Sequence, residues 1–126
     1  MYVDRYTYGL GFPTSFFGGR ILKLDVEKKV LVGSWEDSGC LATEPIFVPR
    51  PVSCGGKSKA EDTEADGVLV FVCHGTRNVQ TSLIVLSSDL KEIGRFSVPV
   101  ATTIGIHGIW LPSEMETTFQ ETVCYK

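Results

Sequence analysis

A chain of 126 residues has the length of about one domain. Its 12 basic and 15 acidic side chains leave a net charge of −3, so it lacks the bulk positive charge of a nucleic-acid binder. A hydrophobic content of 43% excludes wholesale disorder, and no apolar run approaches the ~18 residues of a membrane-spanning helix.

Strand signals dominate, taken in chain order. The start, Met1 to Arg5, has neither the basic nor the apolar region of a secretory signal. Tyr6 to Phe12 is an aromatic and β-branched run with glycines, followed by a loop between Pro13 and Gly18-Gly19. Arg20 to Asp25 and Val30 to Trp35 read as a β-hairpin across a polar turn from Asp25 to Lys29. Glu36 to Thr43 reads as a loop. Pro45, Pro49 and Pro51 exclude a helix and leave a short extended strand, Ile46 to Val48.

Val52 to Asp66 is a polar insert with the acids Glu61, Asp62, Glu64 and Asp66, and it reads as a surface loop. The acids do not follow the spacing of a calcium-binding EF-hand. Val68 to His74 is wholly apolar up to its last residue, as expected of a strand buried on both faces. Thr76 to Gln80 is a turn, Thr81 to Ser87 a strand and Ser88 to Lys91 a second turn. Ile93 to Val98 and Ile106 to Leu111 complete about eight short strands, and a polar tail runs from 112 to 126. The class is all-β, with a sandwich, barrel or propeller as the candidates.

Four cysteines, Cys40, Cys54, Cys73 and Cys124, are too sparse for a disulfide scaffold, and none forms a CxxC pair. They read as free thiols in a reducing cytoplasm, with two disulfides as the alternative. Asn78 is followed by Val79 and Gln80, so it is no glycosylation site, in keeping with a cytoplasmic location. There is no nucleophile elbow, phosphate-binding loop or dinucleotide fingerprint. Of the two histidines, His74 ends an apolar strand and reads as structural. His107 stands in Gly105-Ile106-His107-Gly108, where the backbone can approach another group closely. Glu44 precedes a proline at the start of a rigid strand. A carboxylate there can accept the second N–H of a metal-ligating imidazole.

Three stretches together resemble the carotenoid cleavage oxygenases. The first is Arg5-Tyr6-Thr7-Tyr8-Gly9-Leu10-Gly11, followed by Arg20-Ile21-Leu22-Lys23-Leu24-Asp25. The second is Glu44-Pro45-Ile46-Phe47-Val48-Pro49-Arg50-Pro51, then Glu64-Ala65-Asp66-Gly67-Val68-Leu69. The third is Leu83 to Leu86, Arg95 to Pro99 and Ile106-His107-Gly108-Ile109-Trp110, with isoleucine where the family has phenylalanine before His-Gly.

The resemblance implies a partial seven-bladed β-propeller over residues 1–111, about the last two blades, each a four-stranded antiparallel sheet. Ile46–Val48, Val68–His74, Leu83–Ser87 and Ile93–Val98 would form one blade. Tyr6–Phe12, Arg20–Asp25 and Val30–Trp35 would be the outer strands of the blade before it, and Ile106–Leu111 would open the closing blade. It also implies one Fe(II) on the propeller axis, held by four histidines. His107 matches the last of these ligands, and Glu44 matches a glutamate that orients a ligating histidine.

The implied reaction is cleavage of a carotenoid or apocarotenoid double bond by O₂ into aldehyde or ketone products. The family's isomerase chemistry and a non-enzymatic all-β binding domain are the alternatives. Association with a membrane surface would use regions not present in this sequence. Family members are several times longer and carry the other three histidines upstream. The 126-residue chain by itself is therefore expected to be inactive and poorly folded, with open strand edges.

Overall fold

The computed structural model describes residues 5–11, 19–50, 66–105 and 107–111. These form two antiparallel sheets and no helix. The first sheet contains β1 (Tyr6–Gly11), β2 (Gly19–Asp25) and β3 (Val30–Asp37), in that spatial order. The second contains β4 (Cys40–Ala42), β5 (Ile46–Pro49), β6 (Gly67–Gly75), β7 (Thr81–Ser87) and β8 (Glu92–Val98). β4 and β5 lie end to end along one edge of β6, and β7 and β8 follow on its other side. Expectations that fall on Phe12 to Gly18, the acids at 61, 62 and 64, Ile106 and the tail 112–126 lie outside the described residues.

The β2–β3 hairpin closes where the sequence places it. Asp25 pairs with Val30, the Asp25 carboxylate accepts a hydrogen bond from the Lys28 backbone N–H at 3.0 Å, and Lys29 takes a left-handed φ of 56°. Alternate residues of β2, from Gly19 through Ile21 and Lys23 to Asp25, are buried, as the pleat of a half-covered sheet requires.

Ile21 joins Leu69, Phe71 and Cys73 of β6 and Ile84 and Leu86 of β7 in one core between the sheets. Trp35 meets Phe71 edge to face at 5.1 Å, and Tyr8 stacks on Phe47 at 6.1 Å. Lys23 crosses the same gap. Its ammonium donates to the Ser88 carbonyl at 2.9 Å and lies 4.5 Å from the Tyr6 ring centre, while the Tyr8 hydroxyl donates to the same carbonyl at 3.1 Å. β6 begins on glycine because a Cβ at Gly67 would run into the Val48 carbonyl oxygen.

Three expectations are corrected. Glu36 to Thr43 is not a loop throughout: β3 runs on to Asp37, and Cys40–Ala42 forms β4 by pairing with Cys73–Gly75. That pairing sets Cys40 diagonally across from Cys73, with Cα atoms 5.5 Å apart, and the two are joined by a disulfide rather than remaining free thiols. Cys54 and Cys124 lie outside the described residues. Finally, 107–111 is not a strand. Among the described residues no strand pairs with it, and Ile109 stays 79% exposed. An apolar, β-branched run becomes a strand only where a ladder partner receives its backbone groups.

The buried Asp25 carboxylate makes acid stability testable. The Lys28 N–H, then the Arg5 guanidinium at 3.0 Å, hold its carboxyl below the ordinary value, against the opposing effect of burial. A depressed carboxyl contributes stability above its unfolded-state value and loses it as pH falls through the folded-state value. Asp25→Asn should therefore flatten the acid limb of the stability–pH curve. Denaturant melts of the protein as made in the cell, from neutral to acid pH, check this; parallel limbs for the two proteins would contradict it.

Candidate metal-ligating site

The site begins with an irregularity in the edge strand. The chain takes one more residue between Ala42 and Ile46 than β6 takes between Val70 and Cys73 opposite. This is a β-bulge, a device that re-aims a side chain out of a ladder. Thr43 holds it in place. Its backbone N–H donates to the Val72 carbonyl at 2.8 Å, and its hydroxyl oxygen accepts the Val72 N–H at 3.0 Å. The side chain thus replaces the missing ladder acceptor. Pro45 restricts the residue before it to extended backbone, which keeps Glu44 out of a helical turn.

The second half of the site arrives from beyond β8. The hydroxyl of buried Thr81 donates to the Val100 carbonyl at 2.8 Å and accepts the Thr102 N–H at 3.1 Å. This latch turns the chain back across the face of the second sheet that points away from the core. Gly108 then rests on Ile46, where an added Cβ would lie 2.7 Å from the Ile46 side chain. The result is a direct contact between two residues 63 positions apart: His107 Nδ1 and Glu44 Oε2 are 2.7 Å from one another.

An ionised carboxylate only accepts hydrogen bonds, so Nδ1 of the imidazole is the donor. In the neutral ring this leaves the lone pair on Nε2. The His107 side chain is 81% exposed and that of Glu44 47%, so the pair faces open space rather than core.

Both residues line a cavity of about 260 Å³, together with Ile46, Val70, Val72 and His74. His74, read from sequence as structural, pairs with Leu41 on one side and Thr81 on the other. Its Nε2 is buried and has no hydrogen-bond partner. Among the described residues no three histidine, cysteine or acidic side chains gather closely enough to hold a metal ion by themselves. Glu44 and His107 were both singled out from sequence, and the structure brings them into contact. Thr43 and Thr81, which set the bulge and the latch, carry no sequence signal beyond their neighbours.

The family described as retinal pigment epithelial membrane protein matches residues 2–112. The chain is 31% identical to the chloroplastic carotenoid cleavage dioxygenase 8 of Arabidopsis thaliana, over 87% of this chain and 18% of that protein. It is 33% identical to the human mitochondrial carotenoid-cleaving dioxygenase, over 89% of this chain and 19% of that protein. The beta,beta-carotene 15,15'-dioxygenase of Gallus gallus is 30% identical, over 86% of this chain and 19% of its own length.

The chain thus spans less than a fifth of the length of these relatives, and it matches their C-terminal part. Two of the names are organellar, and the expectation of a cytoplasmic location finds no support in them. No helix among the described residues is long and apolar enough to cross a membrane. With a family match over residues 2–112 and relatives of 30% identity or more over most of its length, the chain belongs to the retinal pigment epithelial membrane protein family, the carotenoid cleavage oxygenases.

Proposed function

We propose that this chain is the C-terminal portion of an iron(II)-dependent dioxygenase that cleaves a conjugated double bond of a carotenoid or apocarotenoid. The observation that carries the reading is the 2.7 Å contact between His107 Nδ1 and Glu44 Oε2. A neutral imidazole suits iron, and a carboxylate behind the ring fixes the tautomer, the ring orientation and the basicity of the free nitrogen. The residues fit the group in this respect: Nδ1 is engaged, and Nε2 is the nitrogen left to coordinate.

On this reading the two sheets are neighbouring blades of a β-propeller. The bulge at Glu44 and the Thr81 latch, both built on the second sheet, bring Glu44 and His107 together at the propeller axis. Three further histidines come from sequence outside these 126 residues. Iron(II), when bound, supplies the O₂ chemistry that splits the polyene into two carbonyl products. The chain's own residues do the positioning. Glu44 holds the imidazole, Thr43 holds Glu44 out of the ladder, and Thr81 with Thr102 fixes the segment that delivers His107. The 126 residues alone supply one ligand, too few to retain iron or to catalyse.

The test is made on the protein as it occurs in the cell. It is purified, its iron measured, and β-carotene and an apocarotenal supplied with O₂. Aldehyde or ketone products formed in proportion to bound iron support the reading. A protein that melts cooperatively, binds no iron and turns over neither compound is a non-enzymatic β-domain instead. Conversion of a retinyl ester to an isomerised alcohol without O₂ uptake would move it to the isomerase branch.

A further inference from the structure

We infer that Thr81 is a positioning residue whose hydroxyl sets how tightly the metal is held, although it lies far from His107 in sequence. This role rests on the iron reading above and acts through His107. β7 begins at Thr81, which stands between His74 of β6 and Val98 of β8. The next residue, Ser82, stands opposite Cys73 of the core, so strand alternation puts the Thr81 side chain on the other face. The chain leaves β8 at Val98 and passes back over that face.

There the Thr81 hydroxyl donates to the Val100 carbonyl at 2.8 Å and accepts the Thr102 N–H at 3.1 Å, and the Thr102 hydroxyl lies 3.3 Å away. A hydroxyl has one proton and two lone pairs, so with the Thr102 hydroxyl as donor its whole capacity is used. Thr81 is 7% exposed, and little water competes for these bonds. From Ala101 to Gly105 the chain is exposed and belongs to no ladder. The Thr81 hydroxyl holds this stretch at its start, and the contacts of Gly108 with Ile46 and of His107 with Glu44 hold it at its end. A ligand carried on such a stretch coordinates only while the stretch is docked, so apparent metal affinity falls with the docked fraction. Valine at position 81 keeps the shape and removes both backbone bonds at once; serine keeps them.

The test titrates ferrous ion, against a competing chelator, into the metal-free protein as it occurs in the cell, and follows amide exchange of Thr102 before metal is added. Thr81→Val is expected to bind iron about 5- to 50-fold more weakly, the worth of two net hydrogen bonds, and its Thr102 amide to exchange faster by a similar factor. Thr81→Ser should bring both back to within about threefold of wild type, because the hydroxyl is retained. Ser82→Ala is the structural control. It removes the 2.8 Å hydrogen bond between Ser82 and Ser97 on the same two strands, and should lower the melting temperature while keeping wild-type iron affinity. Equal iron affinity in wild type and Thr81→Val overturns the role. An equal loss in Ser82→Ala and Thr81→Val overturns it too, since the effect would then be a general weakening of the sheet. Unchanged Thr102 exchange in Thr81→Val overturns the latch itself, whether or not iron binds. A wild-type protein that takes up no iron overturns the iron reading, and this role with it.

Discussion

His107→Ala is expected to abolish iron retention and polyene cleavage in the protein as it occurs in the cell. The alanine removes the nitrogen that would face the metal and leaves the fold alone, because the side chain is 81% exposed and its hydrogen bond among the described residues is with Glu44. Substitution of Glu44 should be graded. Glu44→Gln keeps the size and can still accept the Nδ1 hydrogen bond through its amide oxygen, but without charge. Loss of such an outer carboxylate costs about 10- to 100-fold in metal affinity or activity. The expected order of iron content is wild type, then Glu44→Gln, then His107→Ala, read by elemental analysis and by the initial rate of β-carotene consumption. Full iron in His107→Ala, with a melting curve like wild type, would remove His107 from the metal site.

Phe71→Ala should be the most destabilising single change in the core, at about 3–5 kcal/mol. Phe71 is 2% exposed, sits in the centre of β6 and meets Trp35 of the other sheet edge to face. Its removal opens a cavity between two sheets whose hydrogen-bonded ladders hold both walls in place, so little collapse can offset the loss. Phe96 is the control, because this residue is 66% exposed on β8 and Phe96→Ala should stay within about 0.5 kcal/mol. Denaturant unfolding of the two variants decides the matter. Equal effects would mean that the face bearing Phe96 is covered in the native protein as thoroughly as the core.

Hydrogen bonds within neighbouring segments were legible in the sequence. The Arg20–Asp25 and Val30–Trp35 hairpin has a polar turn between two apolar runs, and β2 and β3 pair there. The run Val68 to His74, too apolar for a surface, is the central strand β6. Glu44 and His107 were also singled out, from their settings and from the family pattern around them, and the structure brings the two into contact. Distant pairing was not. Cys40-Leu41-Ala42 is three residues after a turn, and nothing in it indicates a strand until Cys73–Gly75 lies alongside. The disulfide between Cys40 and Cys73 follows from that same pairing. The reverse error at 107–111 has the same cause: its composition favours a strand, but a ladder needs a neighbour.

The sequence by itself determined the all-β class, the order of most strands and the two residues of the candidate metal site. Only the tertiary structure decided how that site is built. One extra residue in the edge strand turns Glu44 out, and the hydroxyl of Thr81 turns the last segment back to it. The same fold buries His74 Nε2 without a hydrogen-bond partner. Each of these depends on which backbone groups are paired across dozens of residues. Strand periodicity reports which face a side chain takes, and it carries no information about the partner on the other side.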